Sequence, residues 1–486
     1  DNTNDVVSFA AGGKHELGST KINYDAFVSR SHMFRPRNLN FVMRSQHVAR
    51  GYIQWEYDYK NRLWPDFRVI NGIDPRDLSG VALANLTVEP EDRIEETYTA
   101  KIDVEKKFVG ERMASALKLG AKYRENRPQF DQTNFSYTMG TAAQFPYAQV
   151  AQPVDRIVHR KQMYMQVDPT AVRQLLNTRP ELFTYVAYNS LRASAIEDFV
   201  AKETTASAYA MDSIQMGRHT MIAGVRVERN TWGSDRKKID QVTLRESPVK
   251  NGSEYTRWLP GIHFRHALGK NLILRESYNR SYGRPQLSRL TLGRSEDING
   301  NIAEVNPFLD PTESDNLDAQ LEQYTANGGL YSVGVFYKKM KGFYYNRVFK
   351  FDVLDANDQP IPNPSGLRQW SQWQNAQGAK NKGLELIANQ KFYFLPGSLK
   401  GLSVATSATF TDSVANYPNR PGEKLPTYGF SDYMFNGAVE YVHGRFRGRA
   451  SYRYRSDYLE GIDTSAFIDD WFGAREQVDV ELSFRL

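Results

Sequence analysis

The stretch QVDVELSFRL (residues 477–486) alternates between polar and apolar side chains without a break. The apolar set is Val478, Val480, Leu482, Phe484 and Leu486, and the polar set is Gln477, Asp479, Glu481, Ser483 and Arg485. Because side chains of a β-strand point alternately to opposite faces, this segment predicts a strand with one apolar and one polar face. The same alternation recurs along most of the chain. Repeated over many strands, it is typical of a transmembrane β-barrel, with apolar side chains toward lipid and polar ones toward a wet interior.

The overall composition is compatible with such a barrel. The chain has 486 residues, of which 40% are hydrophobic, and its mean hydropathy of −0.59 looks like that of a soluble protein. No stretch approaches the ~18 consecutive apolar residues of a membrane-spanning helix. A barrel does not need one, because half of every strand faces the interior and can be charged. Aromatic residues make up 13% of the chain, with 28 Tyr and 26 Phe, which suits aromatic girdles at two membrane interfaces.

Several function classes find no support in the sequence. The chain has no Cys, which excludes thiolate metal sites, thiol catalysis and disulfides. Its net charge of +6 is spread over the whole length and does not indicate nucleic-acid binding. There is no glycine-rich phosphate loop, nucleophile elbow or His-Glu-x-x-His motif. His263 and His266 are the closest histidine pair, but their spacing puts them on opposite faces of a strand. We therefore expect no enzyme activity, no cofactor, no metal site and no nucleic-acid partner.

The alternating segments group into hairpins whose tight turns carry Gly or Asn, which supply the positive φ that such turns need. The predicted strands, about 17 in number, cover residues 5–17, 19–30, 37–45, 50–60, 94–108, 112–125, 203–216, 219–231, 253–267, 271–284, 315–326, 329–345, 380–394, 400–412, 430–442, 445–458 and 475–486. Most connections between the hairpins are long. Short turns alternating with long loops predict short periplasmic turns and long extracellular loops.

An odd number of strands is unexpected for a single-chain bacterial barrel. No signal peptide opens the chain, so we expect either a processed precursor or a piece of a larger barrel with further strands at both ends. Two side chains break the alternation. Glu276 shares the register of Leu274 and Tyr278, and Gln390 shares that of Leu386. Either these side chains lie near a membrane interface or the predicted register slips there.

One connection, residues 126–202, is predicted to be a long extracellular insertion with structure of its own. Asp168-Pro169 is a helix-start signal for a short helix through Leu175 and Leu176, and a second helix is expected near 181–198. Insertions of this length usually cover the mouth of a barrel or bind a ligand.

Four segments resemble the TonB-dependent outer-membrane transporters. The most specific is NPFLDPTESDNLDAQLEQYTANGGLYSVGVFYKKMKGFYYNRV (306–348), which is similar to the family's Asn-Pro, Pro-Glu, Asp-Asn, strand, Gly-Gly, strand pattern. The others are LPGIHFRHALGKNLILRESYNRSYGRP (259–285), NKGLELIANQKFYFLPGSLKGLSVATSATFTDS (381–413) and GRASYRYRSDYLEG (448–461). The resemblance covers about 90–128 and 203–486 well and the first 90 residues weakly. It is closest to the large branch associated with the uptake of carbohydrates and other nutrients.

The resemblance implies an all-β fold, a large antiparallel barrel of a probable 22 strands, of which residues 1–486 would be a part. The family's N-terminal plug and its TonB-contacting segment are not seen in this chain. The implied function is active import across the outer membrane of a Gram-negative bacterium. A scarce nutrient, such as an oligosaccharide or a siderophore-like molecule, would bind at the extracellular loops and enter with TonB-derived energy. The implied partners are outer-membrane lipid, the TonB complex acting through a plug, and the ligand. A passive porin-type channel, a surface β-barrel enzyme and an adhesion or assembly barrel remain as alternatives.

Two loop clusters are candidate ligand-binding sites, because exposed aromatic rings stack on flat apolar faces and amides supply hydrogen bonds. The candidate residues are Trp370, Trp373 and Gln374 in one loop and Tyr185 and Tyr188 in the helical insertion. The alternative is that these rings pack the loops or lie at the membrane interface. A third feature, Arg447, Arg449, Arg453 and Arg455, shares one face of a strand and is predicted to line the interior. These arginines would either attract an anionic ligand or pair with acids on neighbouring strands or the plug.

Overall fold

The computed structural model of the protein describes residues 2–36, 38–45, 54–58, 66–71, 81–139, 150–158, 161–239, 243–291, 293–296, 300–355, 359–363, 365–462 and 469–485. The first strands are β1 (Thr3–Leu17), β2 (Thr20–Arg35), β3 (Leu39–Ser45), β4 (Gln54–Asp58), β5 (Asp66–Asn71), β6 (Val81–Val88), β7 (Glu91–Val109), β8 (Ala114–Gln132) and β9 (Phe135–Met139). The next elements are β10 (Ala151–Val158), β11 (Lys161–Val167), α1 (Pro169–Thr178), β12 (Phe183–Tyr185), α2 (Ala187–Glu197), β13 (Phe199–Met216), β14 (His219–Ile239), β15 (Glu246–Ala267) and β16 (Leu272–Gly283).

The remaining helix is α3 (Ser288–Thr291). The remaining strands are β17 (Ser295–Glu296), β18 (Ile302–Glu304), β19 (Thr312–Tyr324), β20 (Leu330–Lys341), β21 (Tyr344–Leu354), β22 (Pro360–Pro362), β23 (Arg368–Asn375), β24 (Gly378–Lys391), β25 (Leu402–Asn416), β26 (Tyr433–His443), β27 (Phe446–Arg455), β28 (Tyr458–Gly461), β29 (Asp470–Phe472) and β30 (Arg475–Phe484). Short 3₁₀ turns cover Pro180–Leu182 and Gly397–Gly401. None of the helices in the described segments is long and apolar enough to cross a membrane.

One antiparallel sheet of 15 strands dominates the described residues, in the order β1-β2-β7-β8-β13-β14-β15-β16-β19-β20-β24-β25-β26-β27-β30. Most strands that follow one another in this sheet are joined alternately by a tight turn and by a longer connection. At the tight-turn positions, the link between β24 and β25 is an exception, because it spans residues 392–401 and contains the 3₁₀ turn Gly397–Gly401. Gly18, Gly217 and Gly444 occupy three of the tight turns with φ between +55 and +59°, a conformation that a residue with a side chain adopts only with strain. The strands of this sheet have two ends, which we call the tight-turn end and the loop end.

The two faces of this sheet differ as the alternation predicted. On β30, Val478, Val480, Leu482 and Phe484 are between 64 and 70% exposed on one face. Directly paired residues share a face, so Ala450 of β27 belongs to the same surface as its partner Val480. We call this apolar surface the outer face. The opposite face carries most of the polar network, and helices α2 and α3 of the loops pack against β14. Trp232 on that face of β14 is buried against Leu290 and Leu309. The loops therefore fold over the interior.

The predicted strands 37–45 and 50–60 do not belong to the large sheet, so the count of 17 was wrong by two. β3 pairs with β6 in a four-stranded loop sheet, and β4 pairs with β5 in a separate hairpin. Of segment 50–60, residues 50–53, 59 and 60 lie outside the described residues, as do residue 37 and Leu486. A strand that is half-buried in a loop has the same two-residue period as a wall strand. The pattern alone therefore could not separate them.

A second difference concerns residues 232–252, which were predicted to be a long loop. β14 and β15 instead remain paired as far as Ile239 and Glu246. Ion pairs replace apolar contacts along this extension, including Lys237–Glu246 and Lys250–Asp235, with nitrogen–oxygen distances of 2.7 and 3.3 Å. A spanning strand needs only about 9–11 residues. The outer part of this hairpin is therefore not required to alternate between apolar and polar residues. For this reason its sequence predicted a loop.

The two side chains that broke the alternation lie toward the tight-turn end, without a slip in register. Glu276 pairs with Phe264 on the outer face, and its carboxylate is 3.4 Å from Nε2 of His266. Gln390 accepts hydrogen bonds from the hydroxyls of Thr325 and Tyr331 at 3.4 and 3.2 Å. Each polar group therefore has a partner close to the tight turns.

Candidate ligand-binding site at the loop end

A small five-stranded sheet stands at the loop end, in the order β17-β18-β23-β21-β22. It is built from the connections that follow β16 and β20, and it places β23 between β18 and β21. Strand β23 carries the predicted aromatic cluster. Its neighbours are fixed by register: Trp370 pairs with Phe349 and with Ile302, and Trp373 pairs with Asn346.

The predicted cluster of Trp370, Trp373 and Gln374 is divided between the two faces of β23. Trp370 and Gln374 share one face, and Trp373 points to the other, because their spacing along the strand is even in one case and odd in the other. The sequence prediction grouped these residues by proximity in the chain. The structure does not bring all three together on one surface.

Trp370 packs the interior of the loop sheet. Only 5% of it is exposed, its ring centroid is 4.7 Å from that of Phe349, and its indole N–H donates to Oε2 of Glu304 at 3.1 Å. Gln374, on the same face, donates to Oε1 of Gln372 at 3.0 Å. The surroundings of Trp370 are therefore those expected from the alternative in which its ring packs the loop.

Trp373 lies on the opposite face and meets a cation. The guanidinium carbon of Arg289 lies 3.5 Å from the indole centroid, and Tyr428 meets the same ring edge-on at 6.2 Å. Tyr344 packs nearby and donates to the carbonyl of Gly283 at 3.0 Å. We call Arg289, Tyr344, Trp373 and Tyr428 the mouth cluster. Strands and loops that are distant in sequence converge here, at the loop end of the sheet.

The mouth cluster is held in place through its backbone. Asn306 donates its side-chain amide to the carbonyl of Trp373 at 3.1 Å, and its backbone N–H donates to the carbonyl of Arg289 at 3.2 Å. Leu290, next to Arg289, is buried against Trp232 of the wall. One asparagine therefore fixes both members of the cation–ring pair.

The two predicted tyrosines of the helical insertion lie apart from this cluster. Tyr185 is 48% exposed at the end of β12 and is 5.8 Å from the ring of Tyr137. Tyr188 lies in the first turn of α2, with the Arg192 guanidinium 5.9 Å from its ring. No contact between these tyrosines and Trp373 is recorded in the part of the chain that the structure describes. They remain predicted ligand contacts.

The four arginines of β27 point to the interior face, opposite Ala450, and they have different surroundings. Arg447 pairs with Glu440 at 3.0 Å, and Arg455 stacks on Tyr458 and Phe472 with its guanidinium 4.5 and 5.0 Å from their rings. Arg449 and Arg453 line an open groove with Asn389, Ser407 and Asn436. Within the described segments neither of these two has an ion-pair partner.

Several other interior charges are paired. Arg226 pairs with Glu228, and Arg284 with Glu203 at 3.1 Å. Asp103 is 2% exposed and accepts from the hydroxyl of Tyr209 at 2.6 Å. These pairs contrast with Arg449, Arg453 and Arg289, for which the described residues supply no carboxylate partner within ion-pair distance.

Sequence reasoning missed Arg289, Tyr344 and Tyr428. They lie in three separate connections, and the contacts that join them depend on how the loops fold over the interior. The available signal was weak: Arg289 lies in an otherwise uncharged stretch, PQLSRLTLG (285–293), between two strands.

One acidic residue anchors helix α2 to the wall. Asp198 ends α2 and accepts the backbone N–H of Gln132 at 2.8 Å. Burial raises the pKa of its carboxyl from the ordinary 3.8 to about 6, with Asp131 adding to the increase and Lys237 opposing it. Burial also raises the pKa of Glu89 and Glu197. No set of three or more His, Asp or Glu side chains in the described ranges is arranged to hold a metal ion.

The anchoring of α2 is expected to strengthen in acid. The docked Asp198 carboxyl has a higher pKa than a free one, so its contribution is fully present below about pH 4 and is lost as the pH rises through about 6. Hydrogen exchange of the α2 amides, corrected for intrinsic rates, should therefore slow between about pH 7.5 and pH 5. Asp198→Asn should reduce this pH dependence, leaving the part that comes from Glu89 and Glu197, whereas Asp168→Asn at the start of α1 should keep all of it. An unchanged slope in Asp198→Asn would contradict the assignment.

Comparison with known proteins supports the architecture. The family model for the TonB dependent receptor-like β-barrel matches residues 25–486. The fold is similar to the unliganded ferric citrate transporter FecA, with a TM-score of 0.55 and 11% identity over 99% of this chain and 54% of that one. It is also similar to the closed form of the ferric-catecholate import receptor Fiu from E. coli K12, with a TM-score of 0.56 and 12% identity over 100% of this chain and 58% of that one.

A further similar structure is the siderophore receptor PiuA from Acinetobacter baumannii, with a TM-score of 0.54 and 13% identity over 100% of this chain and 58% of that one. The chain thus spans little more than half the length of these receptors. No curated protein sequence matches it. The large antiparallel sheet is the wall of a transmembrane barrel, with its tight turns periplasmic and its longer loops extracellular. The chain belongs to the TonB-dependent receptor β-barrel family, whose members lie in the outer membrane of Gram-negative bacteria.

Proposed function

We propose that this protein is an active-transport receptor that captures a scarce nutrient at its extracellular loops and imports it with TonB-derived energy. The observation that carries the proposal is that a family barrel wall is combined with loops that fold inward to a built aromatic and cationic cluster at the mouth. The ligand belongs to one of two classes, an oligosaccharide or a siderophore-like molecule. No chemistry is done on the ligand.

In this proposal the extracellular loops bind the nutrient, and side chains on the interior face of the wall guide it inward. Trp373 is held at the mouth with one face covered by Arg289, and Tyr185 offers a second exposed ring on the neighbouring loop. Below them, the exposed Arg449 and Arg453 line the interior groove. A plug domain and the TonB complex would supply the energy-dependent step, and the residues of this chain would supply binding and positioning.

The energy source separates this function from a passive channel. In the bacterium that carries the gene, accumulation of the receptor's nutrient is expected to fall to the background level after deletion of the receptor gene, after deletion of tonB, and after collapse of the proton gradient with an uncoupler. Candidate nutrients are supplied singly as radiolabelled ferric citrate and maltohexaose. Accumulation that needs the receptor gene but survives loss of TonB would instead identify a porin-type channel.

A further inference from the structure

The half-buried guanidinium of Arg289 has hydrogen-bond donors that nothing in the described residues uses. Its flat face lies 3.5 Å from the Trp373 ring centroid. Because the five N–H donors of a guanidinium lie in its plane, a stack of this kind leaves them free to bond at the edges. In the described part of the chain, none of them forms a hydrogen bond.

The charge of Arg289 is also not balanced locally. No carboxylate among the described residues lies within 4.0 Å of its guanidinium, in contrast with the paired Arg284 and Arg226 on the wall below. Burial lowers the pKa of Arg289, and the groups that oppose this are the hydroxyls of Tyr428 and Tyr344. An arginine remains protonated at neutral pH even so. A partly desolvated cation without a counter-charge favours an anion.

Other stacked arginines in the loops differ from Arg289 in hydrogen bonding or in geometry. Arg368 stacks on Phe351 with its guanidinium 4.5 Å from the ring centroid, but it donates to the carbonyl of Asp352. Arg347 lies farther from its rings, with its guanidinium 5.4 Å from the centroid of Phe349 and 5.9 Å from that of Trp370, and its Nε is buried. Among the described residues, Arg289 therefore combines a close stack on Trp373 and accessible donors with a charge that no carboxylate pairs.

We propose that Arg289, stacked on Trp373 and flanked by Tyr428, binds an oxyanion of the imported nutrient, a carboxylate or a phosphate, through the edge of its guanidinium. The inference rests on the proposed function and narrows it: the nutrient is an anion or carries an anionic group. The planar fork matches both oxyanions in a two-bond geometry. The rings of Trp373 and Tyr428 fix the fork before the ligand arrives, which reduces the ordering cost of binding.

The test uses the full-length receptor purified in detergent, with citrate and inorganic phosphate as anionic probes and maltohexaose as a neutral one. Binding is followed by titration calorimetry at low salt. We expect saturable binding of at least one anion, weaker at high salt because the charges are partly exposed. Arg289→Gln is expected to lower the affinity for the anion about tenfold or more. Arg289→Lys is expected to have an affinity between those of Arg289→Gln and the unmodified receptor, because an ammonium keeps the charge but lacks the two-bond fork.

The matched control is Arg368→Gln, which removes a stacked guanidinium of β23 that already donates a hydrogen bond through Nη2. It is expected to bind the anion within about twofold of the unmodified receptor. All variants are first checked for the heat-modifiable band shift of a folded barrel. Equal affinity in Arg289→Gln would overturn the proposal. So would the absence of saturable binding of both anions by the unmodified receptor, or binding of maltohexaose alone.

Failure of this inference and failure of the proposed function can be told apart. Anion binding by the purified receptor needs no TonB, whereas accumulation in cells does. TonB-dependent accumulation without Arg289-dependent anion binding would remove only the oxyanion site. Anion binding with TonB-independent accumulation would keep the site and remove active transport.

Discussion

Asp469→Ala is expected to destabilise the junction of the two extracellular loops that flank β26 and β27 by about 3 kcal/mol, because it removes the buried carboxylate that pairs with a buried cation. The side chains of Arg420 and Asp469 are each 3% exposed, and Nη1 of Arg420 lies 3.2 Å from each carboxylate oxygen of Asp469. Glu423 also pairs with Arg420 but is half exposed. Its two hydrogen bonds with Arg420 remain in the variant and hold the loss at the lower part of the usual range of about 3–5 kcal/mol.

The measurement is native-state hydrogen exchange of the loop amides, including those of Arg420 and Glu423, which bond to the carbonyls of Tyr417 and Arg420. The control is Asp412→Ala, which breaks the exposed pair between Asp412 and Lys382 and should cost under about 1 kcal/mol. Similar losses in both variants would show that burial does not decide the outcome.

Val335→Arg is expected to destabilise the barrel by about 2–4 kcal/mol, because it places a charge on the outer face near the middle of the membrane. Val335 is 53% exposed and lies midway along β20. The neighbouring Gly334 faces the interior, where an added side chain meets only ordinary contacts at 3.7 Å from Gln320 and Glu385. Gly334→Arg is therefore a control with the same charge, one residue away.

Reversible denaturant unfolding in lipid vesicles measures both variants. We expect Gly334→Arg to lie within about 1 kcal/mol of the unmodified receptor, since it faces water and has Glu385 opposite it on β24. Equal losses in the two variants would mean that the outer face of β20 does not meet hydrocarbon.

The period of two predicted the wall of this protein because lipid imposes the pattern. Every wall strand must show one apolar face, as β27 and β30 do, and the family motif at 306–348 agrees with the pairing of β19 and β20. Outside the membrane that constraint ends. The hairpin of β14 and β15 continues on ion pairs that carry no period, and β3 imitates a wall strand while pairing in a loop.

The candidate site could be predicted only in part for a related reason. A strand's own sequence shows which side chains alternate, but it does not show which face meets another loop. From the sequence alone, Trp370 and Trp373 were equally good candidates for a ligand contact. The structure distinguishes them, because α3 places Arg289 against Trp373 on one side of β23. Contacts between residues of separate loops depend on loop closure, for which a single sequence carries no short-range signal.

The division of β23 into a packing face and a mouth face limits how this loop can change in evolution. Inserting or deleting a single residue between Arg368 and Trp373 would turn one tryptophan to the wrong side of the strand, whereas a two-residue change would restore the phase. Ligand preference in related receptors should therefore diverge by substitution within β23.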